Sequence, residues 1–419
     1  MRPIDYAHWR PLFAIVLFAF LLRLAALVFM PEYVDLLQRQ KELRNVAISL
    51  ARTGDFANPY SEPTGKTAHL APIGPLAASL VYRVFGISRE AEFVRGLTCA
   101  IASSIVCGLT FLLGLRFGLD RRAALLAGIL GALAPTGLQL YWDLTEQDAC
   151  LGTLFFVCAL LVFPWDTSER YGMTHAIAFG VASGLAVLSY ESLLAPVAGL
   201  LACGLVVSRH WRRPEAWRFA GLATVCLLLV VLPWSVRNWV VFHRWVLVRS
   251  NFGLEFRLAQ HPMGDELNAS LSMVHPYNKP EILSRVRREG EPAVYHGFLI
   301  EGLDWIRNNP VIFAKRTIRR IVTFWFPVGI GFRRTLASLF FVVLAFVGVQ
   351  RLRKAKPRVW LGIACIWLTY PLVYYLVPGY VRYRQPIEFT IYLMAALEIR
   401  TVTLSLFRNP VKIGPGKAA

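Results

Sequence analysis

Ten runs of mainly apolar residues constrain the fold of this chain more than any other feature of its sequence. Each is long enough to cross a lipid bilayer as a helix, with some tilt. We predict them at about 11–30, 94–117, 123–141, 149–164, 175–190, 192–208, 219–236, 335–350, 359–377 and 386–402. Because hydrocarbon offers no partners to backbone N–H and C=O groups, such runs fold as helices. The sequence therefore predicts an all-α polytopic membrane protein with about ten transmembrane helices, in agreement with its 56% apolar content.

The basic residues predict how these helices are oriented. Lys and Arg number 45 against 26 Asp and Glu, and they gather at 121–122, 209–218 and 351–358, in alternate loops. Loops rich in Lys and Arg stay in the cytoplasm. We therefore expect cytoplasmic termini, whereas residues 31–93, residues 237–334 and the short loop before the last span lie on the outer side. Because orientation explains the excess of basic residues, we expect no nucleic-acid partner.

These loops divide the chain into three parts. They are an N-terminal transmembrane module, 1–236, with its first extracytoplasmic loop at 31–93; an extracytoplasmic loop, 237–334; and C-terminal transmembrane helices with a cytoplasmic tail, 335–419. Within the long loop, composition and end signals predict short helices at 281–289, 291–307 and 310–320.

Two local features stand out beside the predicted spans. The stretch 70–90 is apolar but short and contains Pro72, Pro75 and Gly86, which predicts a partly inserted or re-entrant segment. Arg23 lies inside the first apolar run. An arginine there faces the interior of the bundle, extends to the interface or marks a functional site.

Residues 35–52 follow the first span and carry two stripes at helical spacing. The apolar stripe consists of Leu36, Leu43, Ala47 and Leu50. The polar stripe consists of Asp35, Gln38, Glu42, Asn45 and Ser49. This pattern predicts one amphipathic helix in the plane of the membrane interface, with Glu42 facing an aqueous cavity.

Cysteine and histidine patterns do not indicate a metal centre or a disulfide framework. The seven cysteines include no CxxC pair, and none falls in the long polar loop. The outer histidines, His69, His261 and His275, follow no metal-ligand spacing, so we expect them to form hydrogen bonds within loops. We therefore expect neither a metal site nor a cofactor.

Several motifs on the outer side resemble those of one family of membrane enzymes. In chain order they are ELRNVAISLA at 42–51, GDFANPY at 54–60, TGKTAHLAP at 64–72, WD at 142–143, PWSVRN at 233–238, RSNFGLE at 249–255, HP at 275–276, GE at 290–291 and RYRQP at 382–386. Together they resemble the bacterial dolichyl-phosphate-mannose protein mannosyltransferase-like family. The resemblance covers nearly the whole chain.

The resemblance implies a GT-C fold and an inverting hexosyltransferase that takes its sugar from a polyprenyl-phosphate carrier. The implied partners are this lipid-linked donor, the lipid bilayer and an acceptor that is a glycan, a lipid or a protein. The implied location is the bacterial inner (plasma) membrane, with an extracytoplasmic active site. A departure from the family pattern is His69, where an aromatic residue is expected.

The chemistry of such a transfer requires a base and fixed positive charges. A sugar hydroxyl is a poor nucleophile, so a carboxylate must take its proton during attack, and Glu42 is our candidate for this catalytic base. The leaving polyprenyl phosphate gains negative charge, which arginine stabilises with planar, permanently charged donors. The outer-side candidates for phosphate binding are Arg237, Arg249, Arg382 and Arg384.

Alternatives remain open for both the residues and the function. Asp35 and Glu32 lie nearer the first span and compete with Glu42 as the base. Asp143 lies in an acidic group that could bind a cation or the acceptor, and Glu255, close to Arg249, is a further secondary acidic candidate. A non-enzymatic carrier of lipid-linked saccharides is the alternative function. A ligase that uses a pyrophosphate-linked oligosaccharide would differ only in its donor.

Overall fold

Helices form almost all of the regular structure. The computed structural model describes residues 6–39, 41–60, 62–135, 138–165, 172–206, 214–260, 275–276, 279–327 and 331–408. Within these ranges no strand is present, and Ala57 and Lys66 form an isolated antiparallel bridge. Short 3₁₀ turns occur at Glu191–Leu193 and Val381–Arg384.

The α-helices have the following bounds. In chain order they are α1 (Tyr6–Phe29), α2 (Glu32–Arg39), α3 (Lys41–Thr53), α4 (Ile73–Phe85), α5 (Arg89–Arg116), α6 (Arg121–Leu133), α7 (Leu138–Thr145), α8 (Gln147–Val162), α9 (Met173–Ser189), α10 (Leu194–Val206), α11 (Pro214–Phe242), α12 (Phe252–Gln260), α13 (Pro280–Glu289), α14 (Glu291–Asn308), α15 (Pro310–Trp325), α16 (Phe332–Ala355), α17 (Pro357–Thr369), α18 (Leu372–Leu376) and α19 (Gln385–Arg408).

Many of these helices can span a membrane. Among the described residues, the segments that are long and apolar enough are His8–Phe29, Arg89–Arg116, Pro214–Phe242, Phe332–Ala355, Pro357–Leu376 and Val381–Leu406. Helices α7 and α8 form a further span if they are counted together across a bend of 100°. Helices α4, α9 and α10 are shorter apolar helices. The prediction of an all-α polytopic membrane protein is confirmed, while the number of ten spans stays a prediction.

The bundle has a continuous apolar core. Leu113 on α5, Phe156 on α8, Val187 on α9, Ile366 on α17 and Leu393 on α19 are completely buried and belong to one cluster. Burial of such side chains stabilises the packing of the helices, each contributing of the order of 2 kcal/mol relative to exposure in water.

The predicted run at 123–141 is not one helix. Helix α6 ends at Leu133, Ala134 adopts a left-handed conformation with φ 45°, and α7 begins at Leu138. Pro135 follows Ala134 and explains the break, because proline cannot donate a helical hydrogen bond and disfavours helical geometry in the residue before it.

The prediction of a single amphipathic helix at 35–52 is also wrong, since the segment forms the separate helices α2 and α3. Val34 of α2 belongs to an apolar cluster with Leu144 of α7, whereas Leu43 and Val46 of α3 belong to another with Tyr82 of α4. The two helices pack on different neighbours, so one straight helix would not satisfy both. Of the predicted apolar stripe, Leu43, Ala47 and Leu50 are buried, whereas Leu36 is half-buried.

The three helices predicted in the long outer loop are confirmed as α13, α14 and α15. Each has a proline in its first turn, where the missing N–H group costs nothing. Helix α15 continues to Trp325, beyond the predicted end at 320.

A buried ion pair joins four elements inside the bundle. The guanidinium of Arg23 on α1 donates to the carboxylate of Asp143 on α7 and to the Ser103 hydroxyl on α5 at 2.9 Å. Asp143 also accepts from Gln139 at 2.9 Å and from Gln385 at the start of α19 at 3.2 Å. Arg23 thus faces the interior of the bundle, as one of its predicted roles required.

We expect Asp143→Leu to destabilise the protein, because Arg23 would remain as an uncompensated buried charge. Loss of one partner of a buried pair costs about 3–5 kcal/mol. The double variant Arg23→Met, Asp143→Leu should recover most of this loss, since both charges are then absent. Thermal unfolding in detergent measures the effect, with Asp35→Asn, in an exposed pair with Arg89, as the control. Equal unfolding midpoints for the wild type and the single variant would contradict this assignment.

Candidate active site

The carboxylate of Glu42, in the first turn of α3, lies between two histidines. Its Oε2 is 3.3 Å from Nε2 of His69, and its Oε1 is 3.2 Å from Nε2 of His275. The Glu42 side chain is 29% exposed, whereas those of His69 and His275 are 1% and 5% exposed. Glu42 is therefore the member of this group that an external molecule can reach.

The histidines control the charge of this carboxylate. Burial alone would raise the pKa of Glu42, but the positive charge of His69 and hydrogen bonds from both imidazoles hold it well below its ordinary value. Burial would likewise lower the pKa of His69, but the charge and hydrogen bond of Glu42, together with the charge of Glu291, raise it above its ordinary value. Both shifts favour a carboxylate that faces an imidazolium.

A pair of tyrosines completes the surroundings of His69. Its Nδ1 is 3.2 Å from the Tyr60 hydroxyl, which forms a hydrogen bond with the hydroxyl of Tyr295 on α14. Both phenol rings are almost completely buried. Burial and the nearby charge of Glu42 raise the pKa of Tyr295 well above its ordinary value, so this hydroxyl stays protonated.

The segment that carries His69 is held in place by Glu291, the first residue of α14. The Glu291 carboxylate accepts hydrogen bonds from the Thr67 and Ser250 hydroxyls and, at 3.0 Å, from the Ala68 backbone N–H. The Ser250 backbone N–H donates to the Ala68 carbonyl at 2.9 Å. These bonds connect the first outer segment to the start of α12 and to α14.

Arg249 lies beside the same group. Its Nη1 is 3.1 Å from Oε1 of Glu191, and its Nε donates to the His69 carbonyl at 2.9 Å. Burial alone would lower the pKa of Arg249, but the negative charges of four carboxylates raise it above its ordinary value. These carboxylates belong to Glu191, Asp148, Glu255 and Glu42. Of the predicted residues, Glu42 and Glu255 thus lie near enough to Arg249 for their charges to act on it.

Arg237 supports the outer segment from the end of α11. Its guanidinium donates to the carbonyls of Thr67 at 2.8 Å and Phe56 at 3.1 Å, and it lies 4.8 Å from the centre of the Trp234 ring. Its neighbour Asn238 donates to the Val246 carbonyl at 3.1 Å. The motif at 233–238 therefore joins α11 to two outer segments, and this geometry does not favour a phosphate-binding role for Arg237.

Arg382 and Arg384 have different surroundings although they are close in sequence. The Arg382 side chain is 44% exposed, lies 3.3 Å from Glu146 and stacks over the Tyr383 ring at 5.1 Å. Arg384 is 3% exposed and donates to Glu388, to the Ser338 hydroxyl, and to two carbonyls at the end of α15. An external phosphate can reach Arg382 but not Arg384.

The rival acids lie elsewhere. Asp35 forms an exposed pair with Arg89 at 3.2 Å, and Glu32 is exposed at the start of α2. Asp143 is turned into the bundle towards Arg23. None of these contacts links them to His69, so the geometry favours Glu42 among the candidate bases.

Sequence reasoning missed the residues that surround Glu42. We expected His69 and His275 to form hydrogen bonds within loops, but both contact Glu42, and Tyr60 and Glu291 were not assigned roles. The signal was their presence in the motifs at 54–60, 64–72, 275–276 and 290–291. His261 lies outside the described residues. In the part of the chain that the structure describes, no three His, Cys, Asp or Glu side chains are arranged to hold a metal ion.

Solved structures with the same arrangement of helices define the fold. Archaeal oligosaccharyltransferase AglB from Archaeoglobus fulgidus, in complex with an inhibitory peptide and a dolichol-phosphate, matches with a TM-score of 0.57 and 17% identity, over 100% of this chain and 53% of that one. The chain has the GT-C fold of membrane glycosyltransferases. It spans about half the length of that structure.

Other solved structures also match the chain. The Archaeoglobus fulgidus oligosaccharyltransferase tethered with an acceptor peptide containing the NVT sequon matches with a TM-score of 0.56 and 17% identity, over 97% of this chain and 51% of that one. ArnT from Cupriavidus metallidurans bound to undecaprenyl phosphate matches with a TM-score of 0.39 and 15% identity, over 90% of this chain and 76% of that one. No family model and no curated protein matches the chain.

We expect Gly253→Ala to disturb the packing of α12 on α14. A Cβ atom there would lie 1.9 Å from the Tyr295 carbonyl oxygen and 2.8 Å from its carbon, so the helices would have to separate. Such overpacking costs about 1–3 kcal/mol. The matched control is Gly297→Ala on α14, where a Cβ meets nothing within 4 Å. The midpoint of thermal unfolding should fall in the first variant alone, and equal midpoints in the two variants would contradict this assignment.

Proposed function

We propose that the chain is an inverting glycosyltransferase that moves a sugar from a polyprenyl-phosphate carrier to an acceptor on the extracytoplasmic side of the membrane. The observation that carries this proposal is an accessible carboxylate, that of Glu42, held by two buried imidazoles beside Arg249. A base and a fixed cation side by side are what sugar transfer from a phosphate requires. The GT-C fold supports the same reaction class.

In the proposed reaction the acceptor hydroxyl attacks the anomeric carbon from the side opposite the phosphate. Its oxygen forms the new glycosidic bond and its proton passes to the Glu42 carboxylate. The bond between the anomeric carbon and the phosphate oxygen breaks with its electron pair, so polyprenyl phosphate leaves with an additional negative charge. This direct displacement inverts the anomeric centre.

The leaving phosphate is assigned to the cations that an external group can reach. Arg382 is partly exposed, and its partner Glu146 orients the guanidinium without enclosing it. Arg249 is more buried, at 17% side-chain exposure, but adjoins Glu42. We assign Arg382 to the phosphate because its side chain is exposed, and Arg249 because it bonds to His69 next to Glu42. The donors of Arg249 contact protein groups, as those of Arg237 and Arg384 do, but the bonds of Arg237 and Arg384 do not involve His69, and we assign these two to packing.

The lipid nature of the donor explains why such an enzyme is embedded in a membrane. The AglB structure contains a dolichol-phosphate, and we propose a ligand of that class, a polyprenyl phosphate bearing a single sugar, for this chain. Its apolar tail would stay in the bilayer while the sugar reaches Glu42 at the interface. The mannosyltransferase-like resemblance makes hexosyl-phosphate lipids the first donors to test, and a bacterial inner membrane is the proposed location.

We expect Glu42→Gln to reduce transfer at least about 100-fold while the protein still folds and binds its donor, because the amide keeps the shape of the side chain and removes the base. General-base catalysis contributes about 10²–10⁴-fold to rates. The measurement is release of polyprenyl phosphate from a panel of polyprenyl-phosphate sugars by purified protein in lipid. The matched controls are Asp35→Asn and Glu32→Gln, which should retain activity.

Other results of this experiment would redirect the assignment. Normal turnover by Glu42→Gln together with loss in Asp35→Asn or Glu32→Gln would transfer the role of base to that acid. Tight binding of lipid-linked sugar by the wild type, without release of polyprenyl phosphate from any donor, would favour the non-enzymatic carrier.

We expect Arg382→Ala to reduce kcat/KM for the donor by about 10- to 100-fold, because a hydrogen bond to a charged group is worth about 1.5–3 kcal/mol. Arg382→Lys should lose less, since it retains the charge but not the planar pair of donors. The control is Arg287→Ala, an arginine of similar exposure, 42%, that pairs with Glu62 elsewhere on the outer side. Equal donor kinetics for Arg382→Ala and Arg287→Ala would exclude Arg382 from the phosphate site.

A further inference from the structure

Each of the two carboxylate oxygens of Glu42 is contacted by a different histidine, and this arrangement restricts the orientation of the carboxylate. His69 follows α3 in the chain, and His275 precedes α13. They come from distant segments, yet each directs its Nε2 to the same carboxylate, at 3.3 and 3.2 Å. A carboxylate bound on both oxygens cannot rotate about its last side-chain bond without breaking one of these contacts.

We propose that His69 and His275 are positioning residues that fix the catalytic carboxylate, each donating an Nε2–H bond to one oxygen, while the Tyr60–Tyr295 hydroxyl pair provides a partner for Nδ1 of His69. This inference rests on the proposed role of Glu42 as the base. It assigns a role in transfer to four buried side chains, which we call the histidine clamp: His69, His275, Tyr60 and Tyr295.

The tyrosine pair allows His69 to keep this contact in both of its protonation states. When His69 is an imidazolium, its Nδ1–H donates to the Tyr60 oxygen, and the Tyr60 hydroxyl donates to Tyr295. When His69 is neutral with its proton on Nε2, the order reverses, so that Tyr295 donates to Tyr60 and Tyr60 donates to Nδ1. Since a phenol hydroxyl both donates and accepts, Nδ1 of His69 and the hydroxyl oxygens of Tyr60 and Tyr295 each keep a hydrogen-bond partner in both states.

Charges on the elements around the clamp act on His69 in both directions. The carboxylate of Glu291 on α14 favours the imidazolium form of His69, whereas the guanidinium of Arg249, before α12, opposes it. Glu42 itself interacts electrostatically with Arg249 and with Tyr295. The cation on His69 is thus balanced by two carboxylates, and Glu42 stays ionised to a lower pH than an ordinary glutamate.

Two substitutions of His69 separate its hydrogen bond from its charge. In His69→Gln the amide nitrogen reaches the position of Nε2, so the donor to Glu42 is kept and the charge is lost. In His69→Asn the shorter amide reaches only the position of Nδ1, so the contact with Tyr60 is kept and the contact with Glu42 is lost. The readout is the pH dependence of kcat/KM for release of polyprenyl phosphate, together with the separate values of kcat and donor KM.

The clamp predicts a distinct result for each variant. The acid limb of the profile should move to higher pH by about one unit in both, since loss of the cation raises the pKa of Glu42. In His69→Asn, kcat should also fall at least about tenfold below that of His69→Gln, because the carboxylate is then held on one side only. Donor KM should stay unchanged in both. An acid limb at the wild-type pH in both variants, or a loss confined to donor KM, would overturn the proposal.

His275 provides the second pair of variants if the buried His69 variants do not fold. His275→Gln keeps a donor to Oε1 of Glu42, and His275→Asn does not. Transfer should be retained in the first and should fall at least about tenfold in the second. Equal activity of the two would overturn the clamp at this oxygen.

A measurement that does not need turnover separates the clamp from the proposed reaction. Nitrogen-15 NMR of histidine-labelled protein, with the His69 resonances identified by their absence in His69→Asn, reports its protonation. Glu42→Gln should lower the pKa of His69 by about one unit or more, and an unchanged pKa would overturn the clamp. If this shift is found but no donor releases polyprenyl phosphate, the clamp stands and the proposed transfer fails.

Discussion

The candidate site depends on the hydrogen bonds that the Glu291 carboxylate accepts. This carboxylate is buried, so it is stable only because Thr67, Ala68 and Ser250 supply donors to it. Those donors come from two outer segments that are separated by many helices in the chain. Since His69 lies two residues after Thr67, the position of its imidazole against Glu42 follows from these bonds. The apolar helices form the framework, and the hydrogen bonds of Glu291 bring the residues of the candidate site together.

Much of the fold could be predicted from the sequence because the bilayer leaves few choices. Apolar runs that must satisfy their own backbone groups become helices, and the short outer helices α13, α14 and α15 were visible from their prolines and end signals. The break between α2 and α3 could not be predicted from the sequence. Periodicity records which face of a segment is apolar, but not that Val34 and Leu43 pack on different helices.

The site was only partly predictable, for a related reason. Residue type and membrane side indicated Glu42 and a set of arginines, but the sequence does not record where their donors are directed. Arg384 uses them inside the bundle, whereas Arg382 keeps an exposed side chain. The contacts of Glu42 with His69 and His275 join residues far apart in the chain, so no local pattern could predict them.

The low pKa of Glu42 determines how much of the proposed rate enhancement comes from the base and how much comes from positioning and from the cations. A carboxylate that is held ionised by imidazoles is a weak proton acceptor, so its general-base contribution lies towards the lower end of the usual range. The rate must then depend more on the fixed direction of the carboxylate and on stabilisation of the leaving phosphate by fixed charges. Arg249, whose charge interacts with that of Glu42, and Arg382, whose side chain is exposed, are suited to that second task. The proposed mechanism thus combines a weak but fixed base with permanent cations, which suits a donor whose leaving group is already an anion.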